Sequence, residues 1–163
     1  MQTLEPVDHS ALRVNQSFVV LLPVLAFIFN LPWLVGLTAV IMLIGTFLTK
    51  KPGFGLVYTA LLKPTRLVTP DVIQDNREPH LFSQGMGGVF LAAATVLLYA
   101  GLPGAGWVLN WLVVALASLN LFAGFCAGCA IDSWMHRLNV PGFIKSPPQG
   151  TIPGMRPRSM THE

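Results

Sequence analysis

Three stretches of the chain, Phe18 to Phe29, Leu31 to Thr49 and Gly85 to Ile131, contain no charged side chain. Runs of this length cannot be covered with water-compatible surface. A helix that crosses a bilayer needs about 20 predominantly apolar residues. The composition agrees: 53% of residues are hydrophobic and 10% charged, against roughly 25% charged in a soluble domain. The chain is therefore expected to be an all-α membrane protein.

Four spans are expected, over residues 10–30, 32–50, 80–101 and 104–129. The first run reaches spanning length if its helix starts near Ser10, with Asp8 or Ser10 as N-cap. Asn30-Leu31-Pro32 makes the first turn, with Pro32 suited to the first helical position. The second turn is Leu102-Pro103-Gly104-Ala105-Gly106. The first span does not read as a signal peptide: Glu5 and Asp8 precede it, and no small-residue cleavage site follows. Two hairpins packed as a four-helix bundle are the simplest arrangement. Residues 1–139 form this transmembrane unit, and residues 140–163 a Pro-rich tail.

Charge sets the orientation. The ten Lys and Arg residues fall on the N-terminus, the middle loop and the tail, and the two hairpin turns carry none. The positive-inside bias makes the charged side cytoplasmic, with both termini there. The net charge of +3 also suits anionic lipid headgroups and gives no reason to invoke nucleic acid. Within the middle loop, Phe54, Leu56, Val57, Leu61 and Leu62 suggest a short helix in the headgroup plane. Thr69-Pro70-Asp71 looks like a helix start. The tail has no apolar period and alone should be extended.

A weak internal repeat runs through the chain. Asp8-His9, Gln16, Leu31-Pro32 and Trp33 recur as Glu78-Pro79-His80, Gln84, Leu102-Pro103 and Trp107. No ionisable side chain lies mid-span, which argues against a proton- or ion-coupled transporter. Asn110 and Asn120 suit interhelical hydrogen bonding, and the pairs Gly124/Gly128 and Gly88/Ala92 suit close helix packing.

The chemistry concentrates at Cys126-x-x-Cys129, which holds both cysteines of the chain. The pair lies at or just beneath the cytoplasmic boundary. That compartment keeps thiols reduced, so a permanent structural disulfide is not expected. In a continuous helix the two Cβ atoms would stand about 5–6 Å apart, too far for an unstrained disulfide. A helix C-terminus also disfavours a thiolate. A bend at Gly128 would change this. Ile131, Trp134, Met135 and Leu138 form an amphipathic stripe, so a new interfacial helix could start near Cys129. Cys126 would then face a helix N-terminus, with His136 and Arg137 as modulators and Asp132 opposing the thiolate. Three uses of the pair stand open: small packing residues, a thiol–disulfide couple, or half a metal site. His9, His80 and His136 share its side of the membrane, and Cys126, Cys129, His80 and His136 are the weak metal candidates.

Val7-Asp8-His9, Arg13, Asn15-Gln16, Glu78-Pro79, Phe82 and Gly124-Phe125-Cys126-Ala127-Gly128-Cys129 resemble an uncharacterised bacterial multi-pass membrane family, domain of unknown function 4395. The resemblance covers roughly residues 7–138. It implies a small helical bundle in the bacterial inner membrane and, from the company its members keep, thiol or sulfur chemistry with a thioredoxin-like partner. Family members commonly continue after the second Cys with an aromatic residue, where this chain has Ala130-Ile131-Asp132. No cofactor is expected. The competing expectation is a non-enzymatic accessory subunit of a larger membrane complex, held through the tail, with cysteines that only pack.

Overall fold

A computed structural model describes residues 5–62, 69, 71–138 and 152–155. A short strand, β1 (Glu5–Asp8), leads into helix α1 (His9–Ile28). Helix α2 (Pro32–Ile44) follows and runs on as a π-helical turn, Gly45–Thr49. Helix α3 (Gly55–Val57) and a second π turn, Tyr58–Leu62, form the start of the middle loop. Strand β2 (Val72–Asp75) precedes α4 (Arg77–Tyr99), α5 (Pro103–Ala123) and α6 (Ala127–Arg137).

Four of these helical stretches, His9–Ile28, Pro32–Thr49, Arg77–Tyr99 and Pro103–Ala123, are long and apolar enough to cross a membrane. The four expected spans are present, each within a few residues of its expected limits except at the end of the fourth. Pro32 and Pro103 both open their helices, where a missing N–H costs nothing and the fixed φ is already helical. Each of α1 and α4 packs against both α2 and α5, which closes the four into a bundle. The core is apolar: Val19, Ala26, Val35, Ala39, Met42, Leu91, Ala94 and Val113. Phe47, Leu48, Val96, Val108 and Phe122 stay exposed. Apolar surface on this scale marks a face made for lipid.

Close approach between α2 and α4 follows from small residues. A Cβ on Gly88 would lie 2.9 Å from Leu43 Cδ2, so the expected packing role of Gly88 holds. Asn110 is fully buried, and its amide donates to the Pro23 carbonyl at 3.4 Å, joining α5 to α1 as expected of it.

The polar chemistry sits at one end of the bundle. Gln84 on α4 is its hub. Its Nε2 donates to the Met42 carbonyl at 3.0 Å and Thr46 Oγ1 at 3.2 Å. Its Oε1 accepts from Gly53 N–H at 3.1 Å and from Asn15 Nδ2 at 3.3 Å. Asn15 Oδ1 in turn accepts from Phe54 N–H at 2.9 Å. Gly45 leaves the room for this: a Cβ there would stand 2.6 Å from Gln84 Nε2.

The first half of the middle loop is helical as expected, over residues 55–62, and lies against the bundle end, with Phe54 and Tyr58 buried and Phe18 stacked on Phe54. The stretch before β2 differs from expectation. No helix starts at Thr69 or Asp71. The chain there enters β2, which pairs antiparallel with β1, Glu5 opposite Asp75 and Asp8 opposite Val72. The cause is Asp8. Its Oδ1 caps α1 at Ser10 N–H, 3.0 Å, and reaches Asp71 N–H at 3.3 Å. Its Oδ2 accepts from Tyr58 Oη at 2.9 Å, and Ser10 Oγ donates to the Thr69 carbonyl at 2.7 Å. Burial, then the bond to Asp8 and its charge, push the Tyr58 hydroxyl up to about 12, so it remains a donor at neutral pH. Of the tail, only Ile152–Met155 belongs to the described residues. Met155 pairs with Phe125 in an isolated antiparallel bridge.

Replacing Gln84 by Ala leaves buried partners on three segments unpaired, at about 1–3 kcal/mol for each unsatisfied group. Thermal unfolding in detergent should show Gln84→Ala clearly destabilised, and Val96→Ala on the lipid face close to wild type. Equal midpoints for the two variants would mean that the hub does not hold this end together.

Candidate functional site

Helix α5 ends earlier than the sequence suggests. Gly124 takes a left-handed conformation, φ 67°, and caps the helix with its N–H on the Asn120 carbonyl. The break thus comes at Gly124 and not at Gly128, and the fourth span stops at Ala123. Phe125 and Cys126 are extended, and Cys126 becomes the N-cap of α6. Gly128 is already inside α6, pressed on α4: a Cβ there would come within 2.7 Å of the Ser83 Cα. Small-residue packing is therefore its role, although the partner is α4.

This break removes the continuous helix in which two inert thiols were expected, and it stands four residues before the bend considered at Gly128. The Cys126 and Cys129 sulfurs are at bonding distance, with Cα atoms 5.2 Å apart, inside the ordinary disulfide range. With Cys126 outside the helix proper, its side chain can turn over the first turn of α6. Its Sγ accepts from the Cys129 N–H at 3.2 Å. The Cys126 N–H donates to the Gly154 carbonyl at 2.7 Å, so the described piece of the tail braces the pair. Ser133 Oγ donates to the Cys129 carbonyl at 2.9 Å. Both cysteines are buried.

The neighbour of the pair is His80. Its Nδ1 lies 3.6 Å from Cys129 Sγ and its Nε2 lies 3.0 Å from Asp75 Oδ2. Asp75 ends β2 and is 5% exposed. His9 Nε2 lies 3.2 Å from the same carboxylate oxygen but out of hydrogen-bond alignment, and the two imidazoles meet edge to face at 5.8 Å. Burial by itself would raise the Asp75 carboxyl. The His80 hydrogen bond, the close His9 ring, the His80 charge and the Asn76 N–H outweigh it and hold Asp75 below the usual carboxylate range. An ionised carboxylate only accepts hydrogen bonds. His80 must then carry a proton on Nε2, and its Nδ1 faces the Cys129 sulfur.

A cavity of about 370 Å³ opens beside this row, lined by His9, His80, Ser83, Asn120, Cys126 and Cys129 among others. Asn120, expected to bond between helices, lines this cavity.

The other candidates lie elsewhere. His136 and Arg137 occupy the last turn of α6, roughly 10–12 Å along the helix axis from Cys129 at 1.5 Å per residue. The described residues that could share an ion with the cysteines include His80 and not His136. Asp132 is buried, and its carboxyl is raised first by burial and then by the charge of Glu78, with His136 opposing. Sequence reasoning missed Asp75, which no local motif marks. The repeat that aligned Asp8-His9 with Glu78-Pro79-His80 was the available signal for the two histidines.

Fold and site define a multi-pass membrane protein whose two cysteines meet at the start of an interfacial helix. The chain belongs to the family described as domain of unknown function DUF4395, whose model matches residues 7–137. No curated protein and no solved structure matches it.

A Cβ on Gly128 collides with backbone as well as side chain of Ser83, so Gly128→Ala should displace α6 and speed proteolysis after Phe125. Adding Ser83→Gly should restore part of the wild-type resistance. Wild-type behaviour of the single variant would mean that α6 is not seated on α4.

Proposed function

We propose that this protein is a membrane-bound thiol–disulfide exchange protein, working at the cytoplasmic face with a soluble thioredoxin-like dithiol partner. The observation that carries it is the line Asp75–His80–Cys129 ending on a disulfide-spaced pair at a helix N-terminus. A partner thiolate attacks Cys126 Sγ, and the S–S bond breaks with its electron pair going to Cys129. His80, having taken a proton from solvent on Nδ1, delivers it there. The partner's second thiolate then attacks the mixed disulfide and releases Cys126. Two electrons and two protons enter the pair, and the partner leaves as a disulfide. In reverse, His80 Nδ1 takes the Cys129 proton, and the N-terminus of α6 favours a Cys126 thiolate as the attacker.

The cytoplasmic orientation and the bacterial inner membrane rest on the distribution of Lys and Arg and on the family. β1, β2, the end of α2 and α6 meet at the charged end of the bundle, which supports placing them together on that side. Gly104→Cys, in a chain with both native cysteines replaced by Ala, should react with an impermeant maleimide added outside cells. Reaction only after the cytoplasmic side is opened would reverse the orientation.

Exchange itself is read by gel shift with a polymer-linked maleimide. In membranes, reduced thioredoxin with its reductase should convert the pair to two reactive thiols. His80→Ala should slow this by roughly 100-fold, the scale of a lost general acid–base, and Asp75→Asn should slow it in the same direction. A pair that stays oxidised, or identical rates in both variants, refutes the exchange role. The accessory-subunit alternative, docked through residues 140–163, then stands: it requires that a Cys126→Ala/Cys129→Ala chain keep its partners, and that a chain without the tail lose them.

A further inference from the structure

We propose that reduction of the pair turns this corner into a binding site for a thiophilic cation of the Zn²⁺ type, held by Cys126 Sγ, Cys129 Sγ and His80 Nδ1. The inference rests on the pair being reducible, as exchange requires, and goes beyond it.

Donor spacing is the first support. The three donor atoms lie within 4.8 Å of one another, and His80 Nδ1 stands 3.6 Å from Cys129 Sγ. Tetrahedral zinc with bonds of about 2.3 Å to sulfur and about 2.0 Å to nitrogen sets neighbouring donors about 3.5–3.8 Å apart. Once unbonded, the two sulfurs need to move apart by roughly 1.7 Å, from the disulfide length to the zinc spacing.

The support behind the first ligands is already built. A metal-bound histidine usually passes its other ring N–H to a carboxylate, which fixes the tautomer and orients the ring. Asp75 Oδ2 does this for His80 at 3.0 Å. The grouping of His9, Asp75 and His80 also brings three donors together, but there the carboxylate oxygen and His80 Nε2 already bind each other, so it serves as the outer support. The spacing Cys126-x-x-Cys129 lets one helical turn supply two sulfurs, and the N-terminus of α6 favours both as thiolates. Two thiols give up two protons to solvent as the dication binds, so site and ion together are neutral. That suits a buried place at the edge of a bilayer.

Three protein donors leave one position of a tetrahedron open. It faces the cavity of about 370 Å³ that both cysteines and His80 line. An open fourth position is the mark of a site that exchanges ligands or acts on them, unlike a closed four-donor structural site. Disulfide and metal are mutually exclusive states of the same sulfurs, so the redox state of the pair decides whether the cation is held.

The test uses the full chain in detergent micelles, reduced with a phosphine and then freed of it. Thiol titration comes first, followed by addition of Co²⁺ as a spectroscopic stand-in. Reduced protein should bind Co²⁺ with the strong visible bands of a tetrahedral site and a sulfur-to-metal charge-transfer band. Zn²⁺ should bleach them, and oxidised protein should show neither. Asp75→Asn should weaken binding by roughly 10- to 100-fold. His80→Ala should weaken it further and alter the visible bands, and Cys126→Ser should remove the charge-transfer intensity. Free thiols without a tetrahedral thiolate spectrum, or an unchanged spectrum in His80→Ala, would overturn the metal site and leave exchange intact. A chain that yields no titratable thiols would overturn both.

Discussion

The Gln84 side chain holds the charged end of the bundle in register. In one buried cluster it ties α4 to the end of α2, to the loop at Gly53 and, through Asn15, to α1 and Phe54. Hydrogen bonds among buried groups gain from the absence of competing water, and each unmade one is costly. A helix pinned in this way cannot slide or rotate against its neighbours. His80 lies one helical turn before Gln84, so the face that Gln84 locks inward is also the face that carries His80. The apolar core could form with α4 turned by some degrees, whereas the Asp75–His80–Cys129 line could not.

The remaining parts of the site depend on two further local devices. Asp8 caps α1 and draws in the second half of the middle loop, and the resulting β1–β2 pair delivers Asp75 under both histidines. Gly124 ends α5 through a left-handed residue and lets the chain restart as α6, with Cys126 at its cap. The pair is thereby moved from a helix C-terminus, which repels a thiolate, to a helix N-terminus, which favours one. A few residues of chain direction change the sign of the local field at the sulfurs.

The spans were legible because bilayer thickness and hydrocarbon chemistry act on every residue of a long run, and prolines at 32 and 103 mark the helix starts. Gly88 and Asn110 were legible for a related reason: a glycine or an amide within a spanning helix has few uses besides contact with another helix. The site was legible at Cys126 and Cys129, and at His80 as a weak metal candidate. Gly124 and Gly128 are equally plausible break points on sequence, and the choice falls to packing, because Gly128 is needed small against Ser83. Asp75 could not be singled out, since its function comes from a strand pairing across some seventy residues (Glu5 opposite Asp75) that leaves no periodic trace. The helix expected near Thr69 failed for the same reason: long-range bonds from Ser10 and Asp8 claim that backbone.

The central claim is that a buried carboxylate holds the Nε2–H of His80 and turns its Nδ1 onto the Cys129 sulfur. Nitrogen-15 NMR of the histidine side chains in the oxidised protein measures this directly, with the His80 signals assigned by their loss in His80→Gln. The ring should carry a proton on Nε2, and the pattern should change in Asp75→Asn. A ring protonated on Nδ1 alone, or a pattern indifferent to Asp75, would contradict it.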